Sequence, residues 1–196
     1  MQISRSVLSS CLVFLSLFAT SQSLDLRILE KINPSNPSSD YWRATTVSAN
    51  VVAVAAPAYL LLNGLIKHDD AYKKATVEMV IGQLISIAIS ETMKVTINRA
   101  RPAQTYPDLI FPYMAYTGRS FPSGHTSIAF ATATSLSLQF KKWYVVVPSL
   151  LWAASVGYSR MYLGVHYPTD VLGGAIVGAG SAFIGHWLNK KIFKKD

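Results

Sequence analysis

The chain has 196 residues, a single cysteine and a formal net charge of +8; 51% of it is hydrophobic and only 14% is charged. Soluble domains are about a quarter charged, so this composition excludes an ordinary soluble domain, and the lone Cys11 excludes an internal disulfide or a CxxC metal site. The basic residues come in short clusters between apolar runs, which fits anchoring beside a membrane and speaks against nucleic acid as a partner.

Residues 1–23, "MQISRSVLSSCLVFLSLFATSQS", combine one arginine, an apolar run and small polar residues, the pattern of a secretory signal peptide, or of a signal anchor if it is not cleaved. The apolar run continues past Cys11, which argues against a lipoprotein cleavage box. Residues 24–43 begin with "LDLRILEKI", a short amphipathic helix at the interface, and pass through the breaker-rich "NPSNPSSD". A helix needs about 20 apolar residues to cross a bilayer. Residues 44–66 hold no charge over 23 positions, and further spans are expected at 75–97, 123–140, 143–159 and 169–189. The apolar runs are too long, and alternate too little, for strands. The fold class expected is therefore all-α: an integral membrane bundle of five helices in a domain from 44 to 196, or six spans if the signal stays. Gly174 and Gly178 form a small-xxx-small pair suited to close helix packing.

Lysine sets the orientation. With the first mature span running inward, the inner segments 67–74, 141–142 and 190–196 hold nine of the eleven lysines, as the positive-inside rule requires. The opposite face instead collects Arg43, Arg99, Arg101, Arg119 and Arg160, where anchoring does not explain them. That face also receives three polar stretches: "KVTINRARP" from Lys94, "SFPSGHTS" from Ser120 and "SRMYLGVHYPTD" from Ser159.

Lys94 and Arg101 are seven apart, about two turns, and share a face if the helix persists to Pro102. Pro122 and Ser123 open the next helix, whose free N–H groups and Gly124 suit a phosphate. His166 and Asp170 lie four apart, on one helix face if a new helix begins near Pro168. Arginine forks fit phosphate oxygens and lysine adds a compact charge. A neutral imidazole can attack phosphorus while a carboxylate steadies the cation it becomes, and a second histidine, His125, can protonate the leaving alkoxide. The chemistry that fits is phosphoryl transfer through a phosphohistidine.

Together the three stretches resemble the type 2 phosphatidic acid phosphatase family, whose signatures are a lysine seven before Arg-Pro, then Pro-Ser-Gly-His, then Ser-Arg with a downstream His and Asp. The likeness runs from residue 94 to 170 and no signature position departs from it. It implies His166 as the nucleophile with Asp170 as its partner, and His125 as the general acid. It also implies Lys94, Arg101, Ser123, Gly124 and Arg160 as the phosphate and transition-state cradle, with no metal and no cofactor.

Arg99 and Arg119 fall outside the signatures; headgroup contact or solvation is their default, with a direct substrate contact as the alternative. Glu91 and Lys94, three apart, have mutual pairing as their default, but Lys94 is expected to serve phosphate and Glu91 to be structural; His68 and His186 are expected to be bystanders on the inner side. The aromatic loop 103–121 is expected to anchor at the interface or to wall a lipid. The expected partners are the bilayer and a phospholipid or isoprenoid phosphate substrate. The expected setting is a bacterial inner membrane with the site facing the periplasm. The function expected is metal-independent hydrolysis of a lipid phosphate or diphosphate, of the phosphatidylglycerophosphate, undecaprenyl diphosphate or lipid A class. A phosphotransferase using the same residues and a non-catalytic lipid-binding or transport protein are the alternatives.

Overall fold

The computed structural model describes residues 23–193. The expected signal segment lies outside them apart from its last residue, as do Lys194 and Lys195. Among the described residues there are seven helices and no strand: α1 (23–32), α2 (Asp40–Ile66), α3 (Asp70–Ile97), α4 (Pro102–Thr105), α5 (Gly124–Phe140), α6 (Trp143–Tyr162) and α7 (Pro168–Ile192).

The five long helices fall where the apolar runs predict them. Three stretches are long and apolar enough to cross a membrane: Asp40–Ile66, Asp70–Thr105 taken together, and Pro168–Ile192. Helix α5, with 17 residues, is too short for that mark, and α6, with 20, is not apolar enough, carrying buried Arg160 in its last turn.

Helix boundaries follow local chemistry. The Asp69 carboxylate accepts from the Ala71 N–H at 2.8 Å and caps α3. Asn98, in the left-handed region at φ 50°, ends it. The helix therefore ends where the apolar run does, the condition for Lys94 and Arg101 to share a helix face is not met, and Arg101 arrives on an extended segment before Pro102 starts α4. At α7 the Pro168 ring fits the first helical position, where an N–H has no partner to lose. There the Asp170 carboxylate reaches back to the Tyr167 N–H at 2.9 Å.

Helix α5 is the axis of the bundle, packed on α2, α3, α6 and α7. Its crossing with α7 depends on Gly174 and Gly178. A Cβ on Gly174 would stand 2.6 Å from the Ser123 carbonyl oxygen, and one on Gly178 only 2.1 Å from that of Ser127. The core is built of small residues, among them Ala49, Ala129, Ala133 and Ala153, while Val47, Val51, Val54, Leu62 and Ile176 point outward and exposed. Small inside and apolar outside is the arrangement for helices that pack in lipid, where close backbone approach replaces hydrophobic burial. Helix α1 seats Leu29, fully buried, against Ile110 and Tyr167, next to the three polar stretches.

Candidate active site

Three chain segments meet at one end of the bundle: the end of α3 with its following turn, the start of α5, and the junction of α6 with α7. His166 is 2% exposed and Asp170 is fully buried. The His166 Nδ1 stands 3.5 Å from Asp170 Oδ2, an ion-pair distance at which no hydrogen bond is made, while the carboxylate has three other donors. Its Oδ2 accepts from the Ser120 hydroxyl and the Tyr167 N–H, and its Oδ1 accepts from Arg99 Nη1 at 2.6 Å. Since Nδ1 lies on the aspartate side, Nε2 is the nitrogen turned away from it. Burial drives the His166 pKa down to about 4, with the Asp170 carboxylate opposing and Arg160 and Arg101 repelling the protonated form. The imidazole is therefore neutral near pH 7, with a lone pair to offer.

The cations surround it. Arg160 is 1% exposed, and its Nη1 donates to the Thr46 hydroxyl of α2 at 2.7 Å while Nε has no partner. Arg101 donates from Nη1 to the Val165 carbonyl at 2.9 Å and likewise leaves a buried Nε free. Tyr116, from the aromatic loop, lies with its ring 5.2 Å from the Arg101 guanidinium carbon and 5.5 Å from that of Arg160. Two buried guanidinium nitrogens without acceptors, on arginines that both flank Tyr116, are what an oxyanion would satisfy.

Lys94 Nζ lies 3.5 Å from where a Gly124 Cβ would stand, so the absent side chain leaves room for it beside the N-terminus of α5. Glu91 holds the same ammonium at 2.6 Å, the default pairing that their spacing allows. The Ser123 N–H donates to the Asp170 main-chain oxygen at 3.0 Å, which locks the second stretch to the third. His125, on the first turn of α5, is within charge–charge reach of His166, Arg160, Lys94 and Arg101. All eight residues expected at the site thus come together. Among the described residues no group of three or more His, Cys, Asp or Glu is arranged to hold a metal ion.

Arg99 and Arg119 part ways. Arg119 is exposed and donates from Nε to the Asn98 side chain at 2.7 Å. Arg99 turns inward. Its Nη1 serves Asp170 and the Thr169 hydroxyl, its Nη2 donates to Asp25 Oδ2 at 2.7 Å, and its plane lies 3.9 Å over the Tyr167 ring. Burial works against this charge, and the two carboxylates offset it.

Sequence reasoning passed over Asp25, 2% exposed, and Asn33, 6% exposed. Asp25 also accepts from the Thr169 N–H at 3.0 Å. Asn33 bridges the Phe111 and Tyr162 carbonyls, at 2.9 Å each, and accepts from the Phe111 N–H. The available signal was that Asp25 and Leu29, four apart, share one face of "LDLRILEKI".

Residues 75–194 match the sequence model of the PAP2 superfamily. The chain belongs to that superfamily. It is 32% identical over 112 residues to an undecaprenyl-diphosphatase of Sulfolobus acidocaldarius, an alignment covering 57% of this chain and 54% of that protein. The chain thus spans about half the length of this curated relative. Its fold is similar to a crystal structure of a transmembrane PAP2-type phosphatidylglycerolphosphate phosphatase from Bacillus subtilis: the TM-score is 0.63 at 25% identity, over 96% of this chain and 98% of that one. It is also similar to Aquifex aeolicus LpxE, with a TM-score of 0.60 at 27% identity over 83% and 92% of the two chains. These family members and the apolar helices make this an integral membrane protein.

Proposed function

We propose that this protein is a lipid phosphate hydrolase working through a phosphohistidine at His166. The observation that carries the reading is a neutral, buried imidazole against Asp170, facing two guanidinium groups with unsatisfied nitrogens. The relatives named undecaprenyl-diphosphatase and phosphatidylglycerolphosphate phosphatase support the same class.

In the first half-reaction His166 Nε2 attacks phosphorus. The P–N bond forms as the bond to the lipid oxygen breaks, and His125, which takes up a proton once the anionic phosphate offsets the cations around it, gives that proton to the departing alkoxide. Asp170 stabilises the positive charge that grows on His166. Arg101, Arg160, Lys94 and the N–H groups at the start of α5 take the charge on the transferring oxygens, and such electrostatic stabilisation usually dominates phosphoryl transfer. In the second, water loses a proton to His125 and attacks phosphorus, the P–N bond breaks, and inorganic phosphate leaves. Arg99 and Arg119 act at a distance from the phosphate, Arg99 as a positioning residue for Asp170.

The orientation is supported by charge. Lys67, Lys73, Lys74, Lys141, Lys142, Lys190 and Lys191 lie at helix ends opposite the site, so the positive-inside rule turns the site to the non-cytoplasmic face, the periplasm of a bacterial inner membrane.

The test is phosphate release from lipid phosphates in detergent micelles with excess EDTA, wild type against His166→Ala. Release by wild type and a loss of at least about a thousandfold in the variant is expected. Release surviving in the variant removes His166 as nucleophile.

A further inference from the structure

Beside Lys94, Gly124 and His125 a cleft of about 250 Å³ runs down between α2, α3 and α5. Its wall is unusual for a bundle in lipid. Asn50, Ser86, Ser90 and Ser127 all line it. Ser86 is fully buried and its hydroxyl has no partner in the protein. Ser137, Ser149 and Ser181 by contrast donate to their own helices, four residues back, and Ser135, likewise without a partner, does not line the cleft. Ser90 donates to the Ser127 Oγ at 3.1 Å, which leaves the Ser127 proton to be offered onward.

The polar wall goes deep. Ser86 lies eleven residues before the end of α3 at Ile97, about 16 Å along the axis at 1.5 Å per residue. Over that depth, about half of a hydrocarbon core roughly 30 Å thick, hydroxyl and amide groups share the wall with Ile87 and Ile128. In lipid each such group without a partner is costly, so the wall is suited to an occupant that brings oxygens.

Resting on the hydrolase reading above, we infer that this cleft is the subsite for the leaving group, and that it selects a neutral, oxygen-bearing one: a glycerol ester or an acylated sugar. Three observations converge. The cleft borders His125, the acid that must touch the leaving oxygen, so the leaving group starts there. Its volume is below the roughly 300–1,000 Å³ of sites for drug-sized ligands, so it takes the first few atoms of a lipid and leaves the chains outside. Its one lysine, Lys94, is committed to the transferring phosphate, so a leaving group that is itself a phosphate anion meets no second lysine or arginine in the cleft. A polyprenyl chain offers these hydroxyls only hydrocarbon. A site built to hydrogen-bond its substrate strongly disfavours an analogue that lacks the bonding group.

The experiment compares wild type, Ser86→Val and Ser86→Thr on three monophosphates in micelles: dioleoyl phosphatidic acid, an acylated glucosamine 1-phosphate and farnesyl phosphate. Inhibition by orthovanadate reports whether each variant keeps its phosphate cradle. Wild type is expected to prefer the first two. In Ser86→Val, kcat/KM falls about tenfold on one or both of them, the worth of one hydrogen bond, with farnesyl phosphate and vanadate inhibition unchanged. Ser86→Thr, which keeps the hydroxyl, restores the loss. A loss on one substrate alone names the glycerol or the sugar as the source. Equal effects on all three substrates, or a wild-type preference for farnesyl phosphate, overturn the inference while leaving the hydrolase reading intact. A wild type silent on all three overturns the inference, and the hydrolase reading falls with it only if farnesyl diphosphate also releases no phosphate.

Discussion

Arg99 stands between Asp25 and Asp170, with one guanidinium nitrogen 2.7 Å from the first carboxylate and the other 2.6 Å from the second. An arginine beside Asp170 alone would cancel the charge that His166 needs as it becomes cationic. Asp25 on the far side returns the group to a net negative charge, inside a region where Asp25 and Asp170 have side chains only 3% and 0% exposed. Charges so poorly screened by water act on each other strongly.

Asp25→Asn is therefore expected to slow turnover by about tenfold, the order of a lost charge-assisted interaction, with KM little changed. It also makes the His166 cation less favourable, so the acid limb of kcat against pH moves to lower pH. Asp25→Glu should recover much of both. A drop in turnover with an unmoved acid limb would reduce Asp25 to a structural contact between α1 and α7.

His166 itself predicts a pH dependence. Its pKa is depressed from 6.5 to about 4, chiefly by burial. The attacking imidazole stays neutral down to that region, so kcat/KM, once the substrate's own ionisation is measured separately, should hold through pH 5. The unfolded chain takes up this proton more readily than the folded one. Stability from this group is thus complete above pH 6.5 and lost as pH falls from 6.5 toward 4, by up to about 3 kcal/mol. Denaturation in detergent at pH 5 and 7.5 checks the sign: His166→Gln should lose less stability on acidification than wild type.

How far the molecule could be read from its chain depends on the range of the cause. Uncharged runs such as 44–66 must become apolar helices whatever surrounds them, and Gly174 with Gly178 announces a close crossing through spacing alone. The site stretches were legible because each puts polar groups at a helix end, where no membrane anchor explains them. Asp25 was not, because its meaning lies in partners 74 and 144 residues away, and no local pattern shows that Arg99 faces inward. The early end of α3 was a local event, but an asparagine adopting the left-handed conformation at Asn98 competes with an equally helical continuation through "RAR". Ser86 was invisible for a different reason. A serine in an apolar helix ordinarily satisfies itself, and only the packed neighbours reveal that this one does not.

Glu91 and Lys94 give a prediction of opposite sign to the usual loss. The pair is 2.6 Å apart, with the lysine side chain 22% exposed and the glutamate 63%. So exposed a carboxylate contributes little to stability, but it competes with an incoming anion for the ammonium. Glu91→Gln should leave the thermal midpoint within about 2 °C, as surface changes do, and tighten inhibition by orthovanadate about threefold. Lys94→Ala should weaken that inhibition by far more. Weaker vanadate binding in Glu91→Gln would mean that Glu91 holds Lys94 in place for the phosphate instead of competing for it.

Gly178 separates packing from chemistry. A methyl there would come 2.1 Å from the Ser127 carbonyl oxygen and 2.9 Å from the Ala131 nitrogen, both backbone atoms that a rotamer change cannot move. Gly178→Ala must then push α5 from α7, at a cost of about 1–3 kcal/mol for overpacking. Gly180, with nothing near its missing Cβ, is the control, and Gly180→Ala should be neutral or slightly stabilising in the helix. The crossing continues to Gly174, whose neighbour is the Ser123 carbonyl at the start of α5. Displacement at Gly178 should therefore reach the phosphate cradle as a weaker affinity for orthovanadate, alongside a lower thermal midpoint in detergent. Loss of stability with vanadate affinity intact would mean that α5 is fixed at its site end by the Ser123–Asp170 main-chain bond alone, independent of how the helices pack below it.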